Sequence, residues 1–148
     1  MKEFKLIIFI FTLFLTFWGC SSPKTASNIC PKCNMHIDDS KLHSTSLHIN
    51  NSVHNFDDIG CMILFAKENQ LNLNKTESKV FTNDTNRYID SSKAYYTTDE
   101  NSPMGYGFSA YEKEKSNVIK FDKVIINMLR GEHMANPKIR KQTLGSKV

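Results

Sequence analysis

The chain has 148 residues, and its 19 Lys and Arg residues against 15 Asp and Glu residues give a formal net charge of +4. That length suits one small domain rather than two. A hydrophobic fraction of 40% with 11% aromatic residues excludes a disordered chain. The charge is too mild for a nucleic-acid-binding protein, which needs a concentrated basic surface.

Residues 1–19 are predicted to be a secretory signal peptide rather than part of the fold. Two lysines precede an apolar run over residues 6–18, which is too short for a membrane-spanning helix of about 20 residues. The run ends at Gly19-Cys20, which resembles a bacterial lipobox, where the cysteine is lipidated and becomes the mature N-terminus. We expect Cys20 to anchor the protein on the periplasmic face of an inner or outer bacterial membrane. An uncleaved N-terminal anchor is the alternative.

The rest of the chain divides by composition into three parts. Residues 20–29 are rich in small polar side chains and are predicted to be a flexible tether. Residues 30–132 form the predicted domain. Residues 133–148 are predicted to be a basic tail, frayed and solvated, because residues 138–148 hold four cations and no acid.

Short strands dominate the predicted domain. Leu42 to Ile49 and Ser52 to Phe56 are expected to pair as a hairpin around a turn at Asn50-Asn51. Further strands are predicted at residues 80–82, 87–90, 93–98, 106–111 and 118–121.

A loose internal repeat predicts two helices. Residues 56–64 recur at an offset of 65 as residues 121–129, and in each copy Phe-Asp precedes an apolar run. Asp57 and Asp122 are expected to N-cap these helices. The first helix is apolar almost all round and should be the more buried one.

The second helix carries an apolar stripe of helical period, formed by Val124, Ile125, Met128 and Leu129. The pattern as a whole predicts an α+β domain of duplicated ββα units, with two helices packed on antiparallel sheet.

Sulfur carries the predicted chemistry. If Cys20 is lipidated, Cys30, Cys33 and Cys61 are left, an odd number in an oxidising compartment, so at least one thiol is free or holds a metal. Cys30, Cys33, Met35 and His36 lie within seven residues. Met104 stands between Pro103 and Gly105, which fix its position in a tight loop.

Thiolate and thioether donors select Cu(I) over zinc, magnesium or calcium. Other interpretations of the same residues stay open. Cys30 and Cys33 could be half of a zinc site or a redox dithiol. Cys61 could be a buried hydrophobic residue, a disulfide partner of Cys30 or a ligand, and Met62 is expected in the core.

Five short motifs, spaced over residues 30 to about 130, together resemble the NosL family of lipoprotein copper chaperones, which are encoded with nitrous oxide reductase. The motifs are Cys33-Asn34-Met35, Phe56-Asp57-Asp58, Ala94-Tyr95-Tyr96, Ser102-Pro103-Met104-Gly105 and Lys120-Phe121-Asp122. The family usually has Gly where this chain has Asn34, a residue that tolerates the left-handed backbone better than most.

The resemblance implies a Cu(I) carrier rather than an enzyme, with a duplicated ββα fold similar to that of organomercurial lyase. It implies Cys33 and Met35 as ligands and Met104 as the third, and His36 is our reserve ligand. It also implies delivery of copper to the cluster of nitrous oxide reductase through a membrane-associated maturation complex.

Two other functions are kept as alternatives. Cleavage of a carbon–mercury bond would use two cysteines and an aspartate, which Cys33, Cys61 and Asp57 or Asp58 could supply. A redox or structural lipoprotein would hold Cys30 and Cys33 in a disulfide.

Overall fold

The computed structural model describes residues 27–145, so the predicted signal peptide and Cys20 lie outside the described residues. Six strands, a 3-10 turn at Ser91–Lys93 and three helices follow in the order β1, β2, α1, β3, β4, the turn, β5, β6, α2 and α3. The strands are β1 Thr45–Ile49, β2 Ser52–Phe56, β3 Ser78–Phe81, β4 Tyr88–Asp90, β5 Tyr95–Thr97 and β6 Ser109–Tyr111. The helices are α1 Ile59–Glu68, α2 Phe121–Arg130 and α3 Pro137–Gly145.

The strands form two antiparallel sheets. The larger sheet has four strands in the order β2-β1-β3-β4, and the smaller one pairs β5 with β6. A parallel bridge between Thr82 and Ala110 connects the two sheets. The predicted α+β class is confirmed.

Helix α1 lies at the centre of the core. It packs against β1, β2 and α2, whereas α2 also packs against β5 and the 3-10 turn. Cys61, Met62 and Ile63 of α1 are almost completely buried. The prediction that the first helix is the more buried one is therefore confirmed, and Met62 lies in the core as expected.

The stripe on α2 is only partly covered. Val124 and Met128 are buried, Ile125 is half-buried and Leu129 is 43% exposed. The period of the pattern was right, but the covered face centres on Phe121, Val124 and Met128.

Both predicted helix caps were wrong by position. Asp58, not Asp57, is the N-cap of α1, because its side chain accepts a hydrogen bond from the backbone N–H of Gly60 at 2.8 Å. Helix α2 begins at Phe121, so its N-cap is Lys120, whose ammonium group cannot accept a hydrogen bond from a helix N–H. Asp122 lies inside the first turn, where its charge still complements the helix dipole.

The strands after the hairpin and the C-terminal segment also differ from prediction. The predicted strand over residues 118–121 is a single bridge between Ile119 and Tyr96. Met134, in the segment expected to be frayed and solvated, is instead buried, and its backbone N–H donates to Tyr106 O at 3.0 Å. The same segment forms α3 up to Gly145, and no residue of that helix is buried. Asn136 supports its start by accepting from the Lys138 backbone at 3.1 Å.

Candidate metal centre

The first part of the site is a tight loop between Ile29 and His36, which pair as an antiparallel bridge. Within it, the backbone N–H of Cys30 donates to Met35 O and that of Asn34 donates to Cys30 O, both at 2.9 Å. Asn34 has φ of +61°. The left-handed backbone expected at this position is confirmed, and it lets the chain reverse directly after Cys33.

The second part of the site is the start of α1. Strand β2 ends at Phe56 and α1 begins at Ile59, so Asp57 lies in the short connection and Cys61 in the first turn of the helix. Asp57 immediately precedes the N-cap Asp58, so its side chain and that of Cys61 both lie at the N-terminal end of α1. Helix N-termini also favour negative charge, which suits thiolates and carboxylates.

These two parts of the chain bring four metal-ligating groups together. The ligand atoms of Cys30, Cys33, Asp57 and Cys61 all lie within 4.8 Å of one another. Cys30, Cys61 and Asp57 are 0%, 1% and 3% exposed, whereas Cys33 is half-buried at the edge of the cluster. None of these three cysteines forms a disulfide. We call this group the Cys3Asp cluster.

Asp57 faces the cluster with one oxygen paired and the other unpaired. The thiol of Cys33 donates to Asp57 Oδ1 at 3.2 Å. Asp57 Oδ2 is buried and finds no hydrogen-bond donor among the described residues. An unsatisfied buried acceptor costs about 1–3 kcal/mol, so this oxygen is an open ligand position within the cluster.

The three thiols have different acidities. A hydrogen bond from the Cys61 thiol lowers the pKa of Cys30 to about 6, which outweighs the opposing effect of burial. The same hydrogen bond, together with burial, raises the pKa of Cys61. Burial raises the pKa of Cys33 to about 11, although a hydrogen bond from the Met35 backbone opposes the rise. Of the three thiols, Cys30 is thus the one whose surroundings favour the thiolate form.

A second loop is fastened beside the cluster through Asp58. Ser102 Oγ donates to Asp58 Oδ2 at 2.7 Å, and the Met104 backbone N–H donates to the same oxygen at 3.3 Å. Asp58 is fully buried, and this burial raises its pKa. The loop that contains Met104 is therefore attached to the start of α1, next to Asp57.

The predicted ligands fall in different places. Cys33 belongs to the Cys3Asp cluster. Met35 is 43% exposed, two residues from Cys33, and Met104 is half-buried against the core. His36 is exposed on the bridge with Ile29 and is not one of the four clustered groups. The roles of Met35, Met104 and His36 as ligands stay predictions.

Cys30, Asp57 and Cys61 were not among the predicted copper ligands, although Cys61 was left open as a ligand and the organomercurial alternative grouped Cys33 and Cys61 with Asp57 or Asp58. Cys30 was visible through the Cys-x-x-Cys spacing, and Asp57 and Cys61 through their separation of four residues at a helix start. What no local pattern showed is that the chain brings Asp57, 24 positions after Cys33, back to it.

No family model, curated protein or solved structure matches the chain. Within residues 27–145, no helix combines the length and the apolar character that crossing a bilayer requires.

Proposed function

We propose that this protein is an exported, lipid-anchored carrier of Cu(I) that delivers copper for assembly of the copper cluster of nitrous oxide reductase. The observation that supports it is the convergence of three cysteine sulfurs with Asp57 within 4.8 Å. Thiolates are the soft donors that Cu(I) prefers. The Cys3Asp cluster is then the copper-holding site.

Two thioethers supplement the thiolates. Met35 follows Cys33 by two residues and is 43% exposed, so it lies on the solvent side of the cysteine loop. Met104 is held on the loop fastened to Asp58. A thioether needs no deprotonation and binds more weakly than a thiolate, so these residues act as transient ligands during exchange.

The three cysteines are buried to different extents, and this difference determines where copper would leave the cluster. Cys30 and Cys61 are closed off from solvent, whereas Cys33 is half-buried. A recipient thiol or thioether therefore enters beside Cys33 and replaces it first. The copper passes on by ligand exchange without becoming free in solution.

The recipient and the finer fold rest on the resemblance to the NosL family. That resemblance supports nitrous oxide reductase and its membrane-associated maturation complex as partners, with lipidation at Cys20 keeping the carrier near them. The order β1, β2, α1 followed later by β5, β6, α2 is what a duplicated ββα architecture requires.

The first experiment is an anaerobic Cu(I) titration of the reduced full chain in detergent against a competing chelator. We expect one Cu(I) per chain, an affinity lowered by orders of magnitude in Cys33→Ser, and smaller losses in Met35→Ala and Met104→Ala. Ile126→Ala removes a similarly exposed apolar side chain far from the cluster in sequence and serves as the control. Unchanged affinity in Cys33→Ser would remove Cys33 from the site.

Delivery is tested separately in cells. A strain that lacks this chain should make nitrous oxide reductase without its full copper content. The wild-type chain should restore the copper content and Cys33→Ser should not. Full copper loading in the absence of the chain would rule out the reductase as recipient.

A second function, organomercurial cleavage, is favoured by one contact. Cys33 lies 3.2 Å from Asp57, and Cys61 belongs to the same cluster. Two thiolates could hold the mercury of an alkylmercury ion while a carboxyl proton passes to the carbon, which leaves as the alkane with Hg(II) on the thiolates. Incubation with methylmercury distinguishes the two functions, because a carrier forms no methane.

A redox or structural role for the cysteines is decided by counting thiols. The protein should be isolated from its natural compartment under acid quench, so that thiols do not exchange. A Cys30–Cys33 disulfide that persists and a failure to bind Cu(I) after isolation would together favour that role over metal carriage.

A further inference from the structure

The carboxylate of the cluster has no use in a site for Cu(I) alone. Asp57 is 3% exposed, and its Oδ2 has no hydrogen-bond donor among residues 27–145. Cu(I) takes soft donors and gains little from a carboxylate oxygen. Because neither a protein donor nor copper satisfies this buried oxygen, we look for a different metal ion that would bind it.

The spacing of the four groups suits a tetrahedral ion. Zinc binds cysteine sulfur at about 2.3 Å and carboxylate oxygen at about 2.0–2.2 Å, which separates the donors of a tetrahedral site by about 3.6–3.8 Å. The four ligand atoms lie within 4.8 Å of one another, and Cys33 Sγ is 3.2 Å from Asp57 Oδ1. Adjustments of about 1 Å or less in side-chain position therefore complete the site.

The charge of the cluster also favours a doubly charged ion. If ion binding removes the protons of all three cysteines, the three thiolates and the Asp57 carboxylate carry four negative charges, which a divalent ion reduces to two and Cu(I) only to three. Uncompensated charge is costly where three of the four groups are buried. The buried Asp58 lies beside the cluster and offers no positive charge. Lys32, the cation of the cysteine loop, pairs with Glu68, so it does not offset the charge of the cluster.

We propose that the Cys3Asp cluster also takes a divalent thiophilic ion, of which zinc is the representative, and that Asp57 is the ligand that determines this specificity. The divalent ion is held by three thiolates and the Asp57 carboxylate, whereas Cu(I) is held by sulfur alone. This inference rests on the proposed metal-binding function for the location of the site.

Cobalt is the probe, because Co(II) in a tetrahedral thiolate site shows strong visible bands that octahedral Co(II) lacks. The reduced full chain in detergent is titrated anaerobically with Co(II), and Zn(II) is then added. We expect one tetrahedral Co(II) per chain and its displacement by one equivalent of Zn(II).

The variant that tests the carboxylate is Asp57→Asn, which keeps the shape and removes the anionic ligand. We expect its Zn(II) affinity to fall at least 100-fold while its Cu(I) affinity changes less than about threefold. Asp122→Asn, an exposed aspartate in the first turn of α2, is the matched control and should change neither. Zn(II) affinity retained in Asp57→Asn would overturn the proposal.

A measurement on the wild-type chain avoids dependence on the folding of the variant. X-ray absorption at the zinc edge should show three sulfur neighbours and one oxygen, and a shell with two or fewer sulfurs would overturn the proposal. Cu(I) binding without Co(II) or Zn(II) binding would refute this inference and leave the proposed function intact. Binding of Zn(II) but not Cu(I) would refute the proposed function and leave this inference intact.

Discussion

Asp58 carries three hydrogen bonds that join two distant parts of the chain. It accepts from the Gly60 backbone at the start of α1, and from Ser102 and the Met104 backbone in the second loop. One buried carboxylate thus serves as a helix cap and as the attachment of the loop beside the cluster. Asp57, its neighbour, is free to face the thiols because Asp58 performs both tasks.

Replacing Asp58 with alanine should therefore destabilise the protein more than loss of an ordinary cap does. We expect the free energy of unfolding to fall by about 3 kcal/mol, because the cap is lost and the buried donor of Ser102 is left unsatisfied. Chemical denaturation measures the change. Asp122→Ala is the matched control and should cost less than about 1 kcal/mol, since Asp122 is exposed and loses only its interaction with the helix dipole. Equal losses in both variants would contradict the attachment role.

Gly60 is required by the close approach of Tyr106. A Cβ atom at position 60 would lie 2.2 Å from Cδ2 of the Tyr106 ring. We expect Gly60→Ala to reduce the free energy of unfolding by about 1–3 kcal/mol, because the ring has to move out of a packed position.

A double-mutant cycle checks the cause of this loss. In a Tyr106→Ser background the space is open, so Gly60→Ala should then cost little or slightly stabilise α1, because alanine favours helix more than glycine does. An undiminished cost in that background would mean that the ring is not the obstacle.

At the scale of elements, the two sheets are tied together at the surface as well as in the core. Arg87, just before β4, pairs with Glu112, just after β6, with Arg87 Nε donating to Glu112 Oε2 at 2.7 Å. Thr85 donates to the same oxygen at 2.7 Å. These hydrogen bonds lower the pKa of Glu112 to about 2.

The contribution of this pair to stability should depend on pH in a defined direction. The folded-state pKa is below the unfolded value of about 4.3, so the stabilisation is complete above that value and is lost as the pH falls towards 2. We expect the difference in unfolding free energy between wild type and Glu112→Gln to stay constant down to about pH 5 and to narrow steadily from there towards pH 2. A difference that does not change with pH would show that the pair adds nothing as an ion pair.

Local patterns predicted some elements well and others poorly. The β1–β2 hairpin, its turn at Asn50-Asn51 and the burial of α1 follow from alternation, turn residues and a continuous apolar run. Helix α3 was not predicted because it buries no residue, so its sequence has no apolar stripe of helical period. The cap positions were wrong because a repeated Phe-Asp pair does not specify where the first helical turn closes.

One part of the candidate site could be predicted from local sequence patterns and the other part could not. Cys33 and the left-handed Asn34 could be predicted, since both belong to one short loop. The joining of Cys30 and Cys33 to Asp57 and Cys61 depends on how α1 and the hairpin pack, and a single sequence does not encode that pairing in any local pattern.

At the scale of the whole molecule, metal loading should stabilise the fold. An ion that binds only the folded chain, at a free concentration 100 times its dissociation constant, adds about 2.7 kcal/mol. For a domain of this size that corresponds to a rise in Tm of about 10 °C. Calorimetry of the metal-loaded and metal-stripped full chain measures the difference, with Cys33→Ser as the control that should show little rise. Equal Tm values in the wild type would contradict binding at the Cys3Asp cluster.

The order of the four clustered groups along the chain has a topological consequence. Cys30 and Cys33 precede the β1–β2 hairpin, whereas Asp57 and Cys61 follow it. An ion bound across both pairs therefore closes the folded chain into a ring around the hairpin, as a disulfide would. This cross-link opens by ligand exchange and needs no reductant. If the cluster carries the cargo proposed above, discharge of the ion and opening of the ring are one event. The burial of Cys30 and the Cys33–Asp57 hydrogen bond then still hold the N-terminal loop in place.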